Sequence, residues 1–346
     1  MFSIIGIVVV FGCVVTGYLM EHGNLKVLIQ PAELVTILGA AIGTVLIANP
    51  LHILIKIGKG IGGAFGGSHF TKQTYRVSGI YHAESKFYLL ATRSRRRMAT
   101  INSKTFSDYL QCLTTRPNRD AEMRALLNEI TIGETYFFRS RSQMDAVRKI
   151  ILPKLMALSS KQVVRKLRFW SAGCSTGEEP YTLSILLLEQ LSQKFKDWTF
   201  EIVATDLNEN SIAKCREGVY TEYAVRNLSP ERRQRFFKQE GALYKVDDEV
   251  RAGVKFERLN LQDQSKMLFM KGFDLIFCCN VLIYFDGAAK RRTVDHFYNS
   301  LIQGGHFFLG ECETLFGIYD QFRLVHFPGA TGYYKPAPGE EAGAAK

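Results

Sequence analysis

The chain has 346 residues, of which 47% are hydrophobic, and a formal net charge of +11. This length allows two or three domains, and the hydrophobic fraction is ample for a packed core. The seven cysteines are scattered without a CxxC pair, and no histidines cluster at zinc spacing, so we expect reduced thiols and no metal site.

Two long runs without charged residues lie at the N-terminus, at residues 1–20 and 34–55. Each is about long enough to cross the hydrocarbon core of a bilayer. The first run could instead be a signal peptide, but it lacks a basic start and a typical cleavage site. Lys56 and Lys59 follow the second run, which favours a cytoplasmic C-terminal side. We therefore expect a transmembrane hairpin over residues 1–57, in the inner membrane, with the remainder of the chain in the cytoplasm.

A glycine-rich stretch follows the second run, and residues 58–75 are expected to form a flexible linker. The sequence from Met1 to Pro50 resembles the first two membrane helices of the MotA flagellar stator subunit, and the likeness ends at about residue 75. Nothing later in the chain resembles that family's large cytoplasmic segment or its two further membrane helices, so torque generation is not implied. A genuine fusion and a misassembled reading frame both stay open.

The next segment is strongly basic: residues 71–150 contain 15 Lys and Arg against 7 Asp and Glu, or +8 of the net charge. Apolar residues recur here at helical spacing, which predicts a small all-helical domain over residues 76–156. Four cations of its first helix fall on one face, and a stripe of this kind can dock along an acidic helix or be an ordinary solvated face. These cations are Lys86, Arg93, Arg96 and Arg97.

After residue 157, short apolar runs alternate with helical stretches, which predicts a doubly wound α/β core over residues 157–336, followed by a flexible tail at residues 337–346. Ligands bind such folds beyond the carboxyl ends of the strands. The first run ends in the small-residue turn SAGCSTGEEPY, which lets the backbone approach a ligand, but the GxGxxG fingerprint of NAD enzymes is absent. The next strand ends at Asp206, whose carboxylate can accept both hydroxyls of a ribose or, alternatively, cap a helix.

The turn AGCSTGEEPY closely resembles the cofactor loop of the CheR chemotaxis methyltransferases. Four further motifs match in order, namely ITIGETYFFR, LNLQD, FCCNVLIYFD and GECETLFG, and the resemblance spans about residues 76–336. It implies a Rossmann-like class I methyltransferase that uses S-adenosylmethionine and releases S-adenosylhomocysteine. The implied cofactor contacts are Thr135, Arg139, Gly173, Glu178, Asp206, Asn260, Leu261, Cys279 and Asn280. The chain departs from the family at Cys279, where Arg is frequent, and at Gly133, where several members have Asn.

The resemblance also implies the reaction, which is methyl ester formation on glutamate side chains of chemoreceptors, with the basic helix contacting the receptors' cytoplasmic helices. Arg139 and Tyr284 are the candidates for positioning the glutamate. Its carboxylate is ionised near neutral pH, so no general base is required. Docking to a receptor's C-terminal peptide stays open, although the short turn of a hairpin expected within residues 241–254 argues against it.

Two other functions are compatible with parts of the sequence. An RNA methyltransferase would explain the basic segment, but the NPPY signature of amide and base N-methyltransferases and an aromatic RNA-binding stripe are both missing, so no nucleic-acid partner is expected. A membrane-anchored, non-enzymatic flagellar or chemotaxis component is the third possibility. Cofactor binding distinguishes the two possibilities, because an enzyme should bind S-adenosylmethionine and a non-enzymatic component should not.

Overall fold

The computed structural model describes Ile80 and residues 87–114, 117, 119–131, 133–159, 165–194 and 197–337, which belong to one compact unit. The expected hairpin, the linker, nearly all of the tail and Lys86 lie outside these residues. None of the helices in the described part of the chain is long and apolar enough to cross a membrane.

Three helices form the N-terminal part of the described chain: α1 (Phe87–Thr100), α2 (Phe106–Thr114) and α3 (Arg119–Ile130). Helices α1 and α2 both pack against α3. Their buried apolar side chains recur at helical spacing, as the sequence predicts, and they continue into the core on one face of the sheet. An all-helical N-terminal domain is therefore confirmed for α1–α3, and it is packed directly on the α/β core.

A buried carboxylate joins the three helices. Glu122, at 7% exposure, accepts hydrogen bonds from Arg97 Nε at 3.1 Å, Arg97 Nη2 at 2.8 Å and the Tyr109 hydroxyl at 2.8 Å. Arg93 donates to the carbonyl oxygen of Glu129. The predicted basic stripe therefore only partly faces solvent. Arg93 and Arg97 border the buried side of α1, are half-buried, and form hydrogen bonds within the domain. Arg96 is exposed.

Replacing Glu122 by Ala should destabilise this domain by about 3 kcal/mol, because the change leaves the Arg97 guanidinium and the Tyr109 hydroxyl without their shared partner. Urea unfolding followed by circular dichroism measures the loss. Asp120→Ala, which removes an exposed partner of Arg119, is the matched control and should cost less than about 1 kcal/mol. Equal midpoints for the two variants would contradict the proposed role of the cluster.

The remaining elements build a sheet with helices around it. A segment with α4 (Arg141–Ala146), a π-helical turn (Val147–Ile151) and α5 (Leu152–Ser159) packs into the same core as the sheet. The further helices are α6 (Glu178–Lys194), α7 (Glu209–Glu217), α8 (Glu222–Val225), α9 (Pro230–Phe236), α10 (Asp248–Ala252), α11 (Gln264–Met267) and α12 (Gly287–Ser300). The strands of the main sheet are β1 (Lys166–Ala172), β2 (Thr199–Asp206), β6 (Val254–Arg258), β7 (Phe273–Cys278), β8 (Leu301–Leu309), β9 (Arg323–Phe327) and β10 (Ala330–Tyr334).

The main sheet has the order β6-β2-β1-β7-β8-β10-β9, and its first five strands are parallel. Strand β7 is buried along its whole length, as expected of a parallel strand covered on both faces. The chain proceeds from β1 outward to β2 and β6, and then returns to the other side of β1 as β7. This reversal leaves a crevice at the carboxyl ends of β1 and β7, where such folds bind ligands. The predicted α/β core is confirmed.

A small antiparallel sheet of order β3-β5-β4 is inserted after α7. Its strands are β3 (Val219–Thr221), β4 (Phe237–Glu240) and β5 (Leu243–Val246). The β4–β5 hairpin begins earlier than the sequence suggested: its two-residue turn is at Gly241 and Ala242, where Gly241 has a φ of +62°. Residues 248–254, expected to complete that hairpin, instead form α10 and the start of β6, because Val254 and the residues after it pair with β2 of the parallel sheet.

Candidate active site

A cavity of about 380 Å³ lies beyond the carboxyl ends of β1, β2, β6 and β7, a volume typical of small-molecule sites. One wall is formed by Leu89, Leu90 and Arg93 of α1, and residues 133–140 cover another side. Most of the predicted site residues line this one cavity: Thr135, Arg139, Gly173, Asp206, Asn260, Leu261, Cys279, Asn280 and Tyr284.

The loop after β1 is held tightly against its neighbours. The backbone amides of Gly173 and Cys174 both donate to the carbonyl oxygen of Thr205, at 2.7 and 2.9 Å. Gly173 has a φ of +80°, and a Cβ atom there would lie 2.3 Å from Val281 Cγ2. Glycine is therefore required at this position, because a side chain would collide with the loop after β7.

Asp206 ends β2, and its carboxylate organises two loops. Its Oδ2 atom accepts from the backbone amide of Ser175 and its Oδ1 atom accepts from that of Asn208, each at 2.8 Å. The cap of α7 is Asn208, whose side chain accepts from the amides of Asn210 and Ser211, so Asp206 is not the N-cap. Burial raises the pKa of Asp206. Each carboxylate oxygen keeps a lone pair for a ligand hydroxyl.

The glutamate pair at the start of α6 corrects one prediction. Glu178, the expected contact, does not line the cavity, and its Oε2 atom accepts from Thr176 Oγ1 at 2.7 Å. Glu179 lines the cavity instead and accepts from Ser171 Oγ at 2.6 Å. Successive residues of a helix point about 100° apart, and the orientation of α6 places Glu179, but not Glu178, on the cavity side. The motif predicted that a glutamate at the start of α6 contacts the ligand, but the orientation of α6 determines that this glutamate is Glu179.

Burial raises the pKa of Glu179 to about 7. No Lys, Arg or His in the described part of the chain forms an ion pair with it. Cys279 places its thiol near this carboxylate and 3.8 Å from Gln143 Oε1. Burial also raises the pKa of that thiol, so it remains a neutral donor. Arg139, at the rim of the same cavity, is the cation that lowers the pKa of Glu179, and its effect is smaller than that of burial. A carboxylate that faces a cavity without a direct ion pair favours a cationic ligand.

The loop after β7 depends on Glu313, which the sequence did not identify as a site residue although it lies in GECETLFG. Its Oε2 atom accepts from the amides of Asn280 at 2.7 Å and Gly310 at 2.9 Å, and its Oε1 atom accepts from that of Ile283 at 3.0 Å. Asn280 has a φ of +60°, a strained conformation that these bonds hold in place. Glu313 therefore fixes the loop that presents Asn280 and Tyr284.

The rim of the cavity carries the two predicted catalytic residues. Arg139 is exposed, and its Nη1 atom donates to the carbonyl oxygen of Glu134 at 2.7 Å. Tyr284 is half-buried and ends a 3-10 turn (Leu282–Tyr284). The segment 133–140, which carries Arg139, is anchored at two residues. The Phe137 amide donates to the Ala224 carbonyl oxygen at 3.0 Å, and the Phe138 amide donates to Thr182 Oγ1 at 3.2 Å.

Comparison with known families agrees with this geometry. Residues 133–330 match the SAM-binding domain of the CheR methyltransferases, and residues 68–131 match the all-alpha domain of the same family. The chain belongs to the CheR methyltransferase family. Residues 4–78 match the N-terminal region of motility protein A, and this match shares residues 68–78 with that of the CheR all-alpha domain.

Several CheR relatives align over most of their length. The chemotaxis protein methyltransferase 2 of Vibrio cholerae is 32% identical over 273 residues, which is 78% of this chain and 93% of that protein. The chemotaxis protein methyltransferase 1 of Pseudomonas aeruginosa is 34% identical and covers 72% of this chain and 90% of its own. Among solved structures, the magnesium protoporphyrin IX methyltransferase of Synechocystis PCC 6803 covers 70% of this chain and 93% of its own, at 12% identity and a TM-score of 0.29.

The residues of the CheR cavity fit S-adenosylmethionine. Asp206 offers acceptors for ribose hydroxyls, and the Glu179 carboxylate suits the positive charge of the sulfonium and amino groups. The Ser175 hydroxyl is buried without a hydrogen-bond partner among the described residues, and it borders the cavity. Within the same residues, no group of three His, Cys, Asp or Glu could hold a metal ion.

Affinity for S-adenosylmethionine should rise as the pH increases through about 7, because Glu179 is protonated below its pKa and its ionised form attracts the cationic ligand. Calorimetric titration between about pH 6 and pH 8 should show a gain of up to about tenfold. Glu179→Gln should remove this dependence, whereas Glu178→Gln, the neighbour that faces away, should keep it. A pH dependence unchanged in Glu179→Gln would exclude this carboxylate as its source.

Proposed function

We propose that this CheR chain methylates glutamate side chains in the cytoplasmic helices of chemoreceptors. The observation that carries the proposal is the charge distribution of one cavity: half-buried carboxylates inside, at Asp206 and Glu179, and an exposed arginine at the rim, Arg139. Such a site suits a cationic methyl donor within and an anionic acceptor at the mouth. The names of the related chemotaxis methyltransferases support the same substrate class.

When bound, S-adenosylmethionine supplies a methyl group on a sulfonium sulfur, which a glutamate oxygen takes to form a methyl ester and S-adenosylhomocysteine. Arg139 would hold the acceptor carboxylate by charge-assisted hydrogen bonds, and the Tyr284 hydroxyl would orient it. The side chain is already ionised, so these residues need not remove a proton. Their contribution is alignment and partial desolvation of the acceptor.

Helix α1 would bind the receptor through its exposed cations. Arg96 is exposed, and so is its neighbour Arg95, whose Cζ atom lies 5.4 Å from the centre of the Phe106 ring. Arg93 and Arg97 would act indirectly, because their guanidinium groups are bonded within the domain. Docking therefore uses a narrower patch than the sequence suggested.

Transfer of a labelled methyl group to chemoreceptor cytoplasmic fragments tests the function. The wild-type chain should place a base-labile label on glutamate, and Asp206→Ala should reduce the rate at least about a hundredfold because cofactor affinity is lost. Asp247→Ala, which removes the cap of α10 away from the cavity, is the matched control and should stay active. Cofactor binding with transfer to RNA but to no receptor fragment would support the RNA methyltransferase instead.

We also propose the domain division 1–57, 58–75, 76–156, 157–336 and 337–346, in which the first segment is a hairpin in the inner membrane and the catalytic domain is cytoplasmic. The two uncharged runs and the motility protein A match support this anchor.

The full-length chain should then remain with bacterial membranes after alkaline extraction, and a chain from residue 76 should not. Val9→Arg combined with Leu46→Arg should release the full chain, because each charge near the bilayer centre costs about 3 kcal/mol. Release of the wild-type chain would exclude the anchor.

A further inference from the structure

A second arginine, Arg226, lies against the same tyrosine ring as Arg139, and that ring lines the cavity. Arg226 follows α8, and its Cζ atom is 3.6 Å from the centre of the Tyr136 ring and 3.7 Å from that of the Tyr223 ring. Tyr136 lines the cavity, and its ring centre is also 5.8 Å from Arg139 Cζ. One tyrosine ring of the segment that covers the cavity therefore contacts two guanidinium groups.

Arg226 uses few of its hydrogen-bond donors within the described part of the protein. Its side chain is exposed, its Nη1 atom donates to the carbonyl oxygen of Tyr223, and no Asp or Glu of the described residues forms an ion pair with it. The acidic residue of its own helix, Glu222, is instead paired with Arg233 at 2.7 Å. Arg226 therefore keeps a full positive charge that faces solvent.

The stacking determines how this charge can be used. Rings at these distances lie against the flat guanidinium and restrict its rotation, so the N–H edge is the part available to a ligand. That edge matches a carboxylate, which can accept two parallel hydrogen bonds from it. A guanidinium that is already oriented loses less side-chain entropy on binding than a freely moving one.

We propose that Arg226 is a positioning residue that binds a second carboxylate of the methyl-accepting segment, beside the glutamate held by Arg139. This inference rests on the proposed function. Because Arg139 and Arg226 border the same ring, the second carboxylate belongs to a residue within about one helical turn of the methylated glutamate. The small β3-β5-β4 subdomain, through α8, would thus contribute directly to substrate choice.

Steady-state methylation by the full-length chain, with a chemoreceptor cytoplasmic fragment as substrate, tests the inference. Arg226→Ala should raise the KM for the fragment about tenfold, with kcat and the dissociation constant for S-adenosylmethionine unchanged. Arg226→Lys should recover part of the loss, since charge returns without the planar fork. Arg235→Ala, an exposed arginine of α9 whose Cζ atom lies 4.7 Å from the Phe236 ring centre, is the matched control and should equal the wild type.

A double-mutant cycle uses a substrate fragment with Gln at the acidic positions within one turn of the acceptor. With the wild-type chain, the KM for this fragment should rise by the same factor as in Arg226→Ala. Combining the altered fragment with Arg226→Ala should raise the KM no further. A wild-type KM in Arg226→Ala overturns the inference and leaves the proposed function intact. Weakened cofactor binding or a reduced kcat in that variant also overturns it, since the stack would then only support the cavity wall. Failure of the wild-type chain to methylate any receptor fragment rejects the proposed function and the inference together.

Discussion

The hydrogen bonds of the half-buried Asp206 carboxylate hold the cofactor site together. They tie the amide of Ser175, in the loop after β1, to the amide of Asn208, at the start of α7. Leaving either amide buried and unbonded would cost about 1–3 kcal/mol, so the loops are constrained to converge on this side chain. Because Asp206 ends a strand of the parallel sheet, the sheet itself fixes where the loops meet. The other side of the cavity is then defined by Glu313, which holds the loop after β7 in the same way.

Negative charge lies inside the cavity and positive charge lies outside it, so the methyl donor and the acceptor would bind in regions of opposite charge. The carboxylates of Asp206 and Glu179 lie inside the cavity, and burial raises the pKa of each. A positively charged ligand relieves that penalty, so the site favours a cationic cofactor. The exposed arginines, on α1, at Arg139 and at Arg226, present the opposite charge to an incoming acidic chain. Complementary fields of this kind accelerate encounter and orient the partner.

The sequence predicted the features that depend on local pattern. Alternating apolar runs and helical stretches indicated the α/β core, and the position of Asp206 after a buried run placed it at the cavity. Features that depend on how elements pack were less accessible. The choice between Glu178 and Glu179 depends on the orientation of α6, so the sequence motif predicted Glu178 where the structure places Glu179 at the cavity. The contact of Arg97 with Glu122 likewise depends on how α3 packs against α1. The stack of Tyr136 on Arg226 joins residues 90 positions apart, which no local periodicity reveals.

The claim that this cavity is the cofactor site of a CheR methyltransferase is tested most directly by a crystal structure of the full-length chain with S-adenosylhomocysteine. We predict that both ribose hydroxyls lie within about 3.2 Å of the Asp206 carboxylate and that the amino group faces Glu179 rather than Glu178. A ligand bound elsewhere, or bound here with Asp206 contacting only the amides of Ser175 and Asn208, would contradict the account.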